Sequence, residues 1–181
     1  MRRTAFYSVL MIARCVAQDS VANEYQVKAA FLFNFAKFVE WPSSSFRTPD
    51  APLEICILGN DPFDLRMENS IAARTVNGRR IAISHYSNAS GATSCQILFV
   101  ASSEKRQVKN ILKQLSSSTV LTVGDISGFA DDGGIIDFVL EGDLVRFEVN
   151  NSAAARAHLK LSARLLTVAK SIVGQAPGDT N

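Results

Sequence analysis

The spacing of apolar residues changes character several times along this chain, and each change marks an element. Residues 24–41 place Val27, Phe31, Phe35 and Phe38 at helical spacing, one apolar face of an amphipathic helix. Pro42 disfavours helical backbone at Trp41, so the helix should stop there. Phe33 lies nearly opposite Phe31, which predicts a helix buried on two sides or, failing that, a partner at Phe33. Residues 53–59 form a compact apolar run closed by Gly59, a buried-strand signal. Residues 62–73 suit a helix that starts at Pro62, a residue tolerated in a first turn.

The rhythm then repeats. Residues 76–84 read as a strand entered through an Asn77-Gly78 turn, and 95–101 as a second buried strand. Residues 103–116 carry Val108, Ile111, Leu112 and Leu115 on one helical face, with Ser103 as N-cap. Residues 120–123 make another short strand. Strand–helix alternation of this kind argues for a mostly parallel sheet covered by helices. An order 2-1-3 for its first three strands sets those carrying Cys56 and Cys95 side by side.

Further on the period shortens to two. Residues 135–140 and 144–149 flank Glu141-Gly142-Asp143, and Val145, Phe147 and Val149 alternate with Arg146 and Glu148, the pattern of a β-hairpin. A break is expected at 158–162, where Leu159 and Leu161 alternate and Ser162 can cap a final helix. Leu165, Val168, Ala169 and Ile172 predict that terminal helix, stopped by Gly174 and Pro177. The expected fold is a single α/β domain over residues 18–174: a mixed, mostly parallel sheet flanked by helices, with a C-terminal β-hairpin and a terminal helix. Residues 175–181 are expected to be a disordered tail.

The start of the chain changes the compartment. Arg2 and Arg3 precede nine apolar or small residues, 5–13, and Cys15-Val16-Ala17 offers a small-x-small cleavage site before Gln18. This is the layout of a secretory signal peptide over residues 1–17. The run falls short of the about 20 residues a membrane span needs. Arg14 weakens a lipoprotein reading of Cys15. Removing 1–17 takes away Arg2, Arg3 and Arg14 and no acid, so 19 basic and 17 acidic residues become 16 and 17, a net −1. No basic arm remains to attract nucleic acid. An exported, periplasmic product with only Cys56 and Cys95 points to one disulfide. Two buried thiols packing as small apolar residues are the alternative.

Chemistry is hard to find. His85 and His158 are the only histidines; neither has a strong ligand at metal spacing and no nucleophile motif accompanies them, so both read as solvated surface groups. Asp125, Asp131, Asp132 and Gly133-Gly134 do not match a calcium loop and read as a turn. Gly59-Asn60-Asp61-Pro62 sits where a helix N-terminus could meet an anion, without a phosphate fingerprint. Arg156, Lys160 and Arg164 would make a basic stripe on one helix, which the expected break disperses. No catalytic residue, metal site or cofactor follows, and the chain does not read as an enzyme.

Particular residues say more than spacing. The stretch from Tyr25 to Phe35 with Phe38 and Trp41-Pro42, then I-C-I-L-G-N-D-P-F, resembles the opening of the YfiR family. G-F-A-D-D-G-G-I-I-D-F-V-L-E-G, V-R-F-E-V-N and L-K-L-S-A-R-L-L resemble its closing half in the same order, so the likeness covers about 24–173. It implies a periplasmic α/β protein without catalytic activity that binds the periplasmic domain of an inner-membrane diguanylate cyclase and holds it inactive, a brake on cyclic-di-GMP signalling and biofilm formation. An OmpA-type outer-membrane lipoprotein would draw the brake away, and a second copy of the chain stands as another open partner. Cys56 and Cys95 match one disulfide pair of the family. Its second pair falls near Ala130 and Asp137 and is missing. Glu148 matches a position tied to repression, while a basic residue and a histidine of a ligand site fall at Lys160 and Ser162. Partner contacts are expected from Phe147, Glu148, Arg156 and Lys160. A periplasmic small-molecule binding domain feeding a sensor or transporter remains the alternative function.

Overall fold

Residues 5–174 are described by a computed structural model, with side chains from residue 21 onward. The side chains of the expected leader, 1–17, and the whole of the expected tail, 175–181, lie outside the described residues. Helix α1 (Ala5–Phe38) leads into the two-residue strand β1 (Val39–Glu40). Its inner stripe is Ala29, Leu32, Phe35 and Ala36, rotated from the expected Val27–Phe31–Phe35–Phe38 face. Ala29 and Ala36 let the backbone approach the sheet closely, while the half-buried Phe31 and Phe38 flank the contact. Phe33 lies under the guanidinium of Arg74, 4.6 Å away, so α1 is covered on two sides as its pattern implied. The helix ends before Trp41 because Val39 and Glu40 pair antiparallel with Leu161 and Lys160.

Strand β2 (Leu53–Leu58) opens the main sheet and leads into α2 (Leu65–Ala72). Pro62 does not start this helix; Asp64 caps it by accepting the Met67 amide at 2.8 Å. A hairpin comes next, β3 (Thr75–Val76) and β4 (Arg79–Tyr86), joined by Asn77 and Gly78 at φ 51° and 80°. Both central residues of that turn have positive φ, the reason for an Asn-Gly pair. Strand β5 (Ile97–Val100) precedes a 3₁₀ turn and α3 (Val108–Gln114). Ser103 therefore lies in the turn; its hydroxyl accepts the Asn60 amide at 2.9 Å instead of capping α3. Strands β6 (Leu121–Gly124), β7 (Ile136–Glu141) and β8 (Leu144–Asn150) complete the core, β7 and β8 as the expected hairpin.

The C-terminal part departs from expectation. After α4 (Asn151–Arg156) comes β9 (Lys160–Leu161), and Ser162 caps α5 (Ala163–Val168) through the Leu165 amide. The chain then extends into β10 (Ser171–Val173), parallel to β8. Helix α5 is thus short, and Val168 and Ile172 are exposed at 54% and 45%. The free edge of β8 accounts for this: its unpaired backbone groups gain partners if the tail becomes a strand.

Among the described residues the main sheet runs β10-β8-β7-β6-β5-β2-β4-β3, parallel except at β7–β8 and β3–β4. Strands β4, β2 and β5 keep the 2-1-3 order. Both faces of the central strands are buried: Ile55, Ile57, Ile97 and Phe99 pack in one layer with α1, while Cys56, Leu58, Leu98 and Val100 pack in the other with α3. Two-sided burial is why these strands read as continuous apolar runs. Cys56 and Cys95 are joined across adjacent strands, Cα–Cα 6.1 Å, the geometry of the expected disulfide. Cys95 sits just before β5, not within it.

Candidate functional site

Strands β4, β2, β5 and β6 end on one edge of the sheet, and β4 and β5 flank β2 on opposite sides. An α/β sheet opens a crevice at such a point. The loop after β2 supplies Asp61, the first turn of α2 supplies Glu68, and the end of β4 supplies His85. His85 Nε2 lies 2.7 Å from Asp61 Oδ2 and 3.1 Å from Glu68 Oε1. The other Asp61 oxygen accepts the Phe63 amide at 2.7 Å, so the carboxylate is aimed by its own backbone. The hydrogen bond to Asp61 raises the His85 imidazole above its usual range. Burial, then Asp61 beside it, raises the Glu68 carboxyl. His85 is half exposed yet fastened to two acids, a correction to its reading as a freely solvated group. His158 takes φ 57° at the break before β9.

A second cluster on the same edge is sealed. Lys28 is buried on α1, reaching Glu24 one turn earlier and Asp125 at 3.2 Å. Its ammonium lies 4.5 Å from the Tyr25 ring centroid, and the Tyr25 hydroxyl donates to Asp125 at 2.8 Å. Burial and the Asp125 carboxylate push the phenol well above its usual range. Tyr25 is therefore a fixed donor and no base. Asp125, read from sequence only as part of a turn, is the counter-charge that holds α1 on the sheet.

The residues expected to bind a partner do not form one surface. Phe147 is 1% exposed and packs against Phe31 and Phe35 at centroid distances of 5.4 and 5.1 Å. It holds the hairpin against α1 and cannot itself touch a partner. Glu148 is partly exposed, 3.9 Å from Lys170. Arg156 and Lys160 are exposed on α4 and β9. With Arg164 on α5, the basic residues fall on three elements, so no stripe forms. Lys160 pairs with Glu40 across β1–β9.

Opposite Glu148 on β7 sits Asp137, 2% exposed. Its Oδ2 accepts the Phe129 amide at 3.0 Å, so at the place of the missing second cystine a hydrogen bond ties β7 to the 129–130 loop. Burial pushes this carboxyl up to about 7, against the pull of the Ala130 and Phe129 amides, and Glu148 adds to the rise. Gly134 in the same loop has no room for a side chain, because a Cβ there would overlap the Phe129 ring.

Several grooves open at the surface, and two of them bear on binding. One, of about 450 Å³, runs between α1 and the hairpin tip, lined by Val27, Phe31, Leu140, Leu144 and Val145. Leu140 and Leu144 are 55% and 63% exposed. The other, of about 320 Å³, has Lys109, Lys113 and Arg156 around Leu112, Leu115 and Ala157, with Asp132 at its edge. Neither was legible from residue spacing, since each joins residues from separate elements. No helix among the described residues is long and apolar enough to cross a membrane.

Among curated proteins none matches the chain. A solved structure, described as a conserved domain protein from Vibrio cholerae O1 biovar El Tor strain N16961, superposes with a TM-score of 0.50 at 11% identity, over 66% of this chain. The match spans only about half of that protein, 54%, and speaks for the fold alone. The family model described as YfiR/HmsC-like matches residues 25–170, an interval that holds the α1 stripe, the Cys56–Cys95 bridge and the hairpin. The chain belongs to the YfiR/HmsC-like family.

Proposed function

We propose that this protein is a periplasmic regulatory binding protein that represses an inner-membrane signalling protein, a diguanylate cyclase, by occupying its periplasmic domain. Family membership supports a regulator of cyclic-di-GMP signalling rather than a catalyst. The Cys56–Cys95 bridge suits an oxidising compartment and the signal-peptide reading of residues 1–17. The observation that carries a binding role is the groove at the hairpin tip. Two large leucines stand exposed there beside Val27, an apolar surface that a protein partner would cover. The tip therefore replaces Phe147 as the contact.

Arg156 lies beyond the opposite end of β8 from Leu144, a strand of seven residues or about 20 Å. Charges there act on encounter more than on the final contact. The test is capture of the cyclase's periplasmic domain by the exported protein, with deletion raising cyclic-di-GMP and surface attachment. Leu144→Asp should lose capture while keeping the wild-type melting temperature. If a copy lacking residues 1–17, confined to the cytoplasm, restores the signal as well as the exported one, the brake reading is wrong.

A second reading, a periplasmic small-molecule binding domain feeding a sensor or transporter, rests on the groove of Lys109, Lys113 and Arg156. Its volume of about 320 Å³ is at the low end for organic ligands, and Lys113 and Arg156 over apolar side chains suit an amphipathic anion, Lys109 being paired with Asp132 at 3.2 Å. Arg156→Glu separates the two: it should abolish ligand binding under this reading and leave capture of the membrane partner intact.

A further inference from the structure

We propose that Asp61, Glu68 and His85 form a binding site for a divalent cation of the zinc class. One βαβ unit supplies all three ligands: the loop leaving β2, the first turn of α2 and the end of β4. Their ligand atoms lie within 4.8 Å of one another. Around four-coordinate zinc, with ligands at about 2.0–2.1 Å, neighbouring ligand atoms stand roughly 3.3 Å apart. His85 Nε2 is already 2.7 Å from Asp61 Oδ2 and 3.1 Å from Glu68 Oε1. To hold the ion, the His85 nitrogen has to part from the Glu68 oxygen by a few tenths of an ångström and from the Asp61 oxygen by about half an ångström.

The backbone prearranges this set. The Phe63 amide fixes one Asp61 oxygen and turns the other towards His85. Asp64 caps α2 and so places Glu68 one turn on, the Glu68 amide itself donating to the Asp64 carbonyl. His85 is held in register by the β2–β4 ladder, opposite Ile57. Two carboxylates brought to one imidazole repel each other, and a dication removes that repulsion. The His85 side chain is 49% exposed, so the ion can enter from solvent and keep water on its outer side. One nitrogen and two oxygens suit zinc or its first-row neighbours better than calcium or magnesium, which favour all-oxygen shells.

The experiment is a calorimetric titration of zinc chloride into the purified, disulfide-intact protein, followed in parallel by NMR of the histidine rings. One equivalent should bind, with the His85 ring resonances moving first and saturating at that ratio. His85→Ala and Glu68→Gln should each weaken binding by at least about tenfold, the loss already seen when a mere outer-shell group of a metal site is changed, whereas His158→Ala should not. Absence of binding, saturation without movement of the His85 ring, or equal affinity in Glu68→Gln would overturn the proposal and leave His85 as a hydrogen-bonded ion pair. The ring spectra of the unaltered protein decide the matter even if a variant fails to fold.

Discussion

Asp137 is the single side chain whose titration should be visible in the stability of the whole. Its carboxyl is buried, titrates at about 7 in the fold, and has one oxygen without a partner among the described residues. In the unfolded chain it returns to its ordinary value of 3.8. Between those values the folded protein holds a proton that the unfolded chain has lost. Its contribution is therefore full below the unfolded value and declines as pH rises to about 7. Asp137→Asn keeps an acceptor for the Phe129 amide and removes the titration. Urea unfolding at pH 5 and pH 8 should show the wild type losing up to about 3 kcal/mol more than the variant, at 1.36 kcal/mol per unit. Equal pH dependence would mean that the buried carboxylate is ionised throughout. Glu148, directly across the ladder, belongs to the same argument. Its negative charge raises Asp137, so Glu148→Gln should move the Asp137 transition to lower pH, read from the same titrations. Its pairing with Lys170 is long and partly solvated and contributes under about 1 kcal/mol, so folding should survive the change. Sequence placed both acids on the hairpin but not Asp137 buried opposite Glu148, since a lone acid in an apolar run carries no mark of its cross-strand partner.

For the elements, legibility followed the period of the apolar residues. The central strands and the β7–β8 hairpin stood out because two-sided and one-sided burial give different, clean patterns. Helix α1 was found but rotated, since three phenylalanines and a valine outweigh two alanines in a reading by bulk, while close packing on a sheet selects the alanines. The tail was misjudged after Ala169 because Ile172 continues a helical spacing, whereas the open edge of β8 decides its conformation. The least expected link is Lys28, a charge on the inner side of a helix that reads as apolar. Removing one member of a buried pair strands the other, at about 3–5 kcal/mol. Lys28→Met should thus lower stability by that order in denaturant unfolding. Lys28→Met with Asp125→Asn should recover part of the loss, because neither charge is then left alone. A double variant no better than the single would show that Lys28 acts through its packing on Tyr25 and not through Asp125.

At the scale of the molecule, topology makes the site and stability holds it. Asp61, Glu68 and His85 are too widely spaced in sequence to suggest a cluster; only the crossover from β2 through α2 to β4 brings them together. The apolar groove at the hairpin tip is likewise invisible until α1 is laid beside β7 and β8. The Cys56–Cys95 bridge lies in the layer that packs with α3, tying β2 to the approach of β5 across a separation of 39 residues. On the chain-entropy model a loop of that length stabilises the fold by about 4 kcal/mol, a large share of the roughly 5–15 kcal/mol that holds a domain together. Both sulfurs are buried, so replacing them with alanine removes the cross-link without stranding a polar group. Cys56→Ala with Cys95→Ala should therefore lower unfolding free energy by several kcal/mol, and dithiothreitol should do the same to the wild type while leaving the variant unchanged. Partner capture should fall in step with the folded fraction, since the hairpin tip is itself untouched by the change. A wild type whose unfolding midpoint ignores the reductant would show that the sheet stands without its bridge, and capture would then have to be explained by the tip alone.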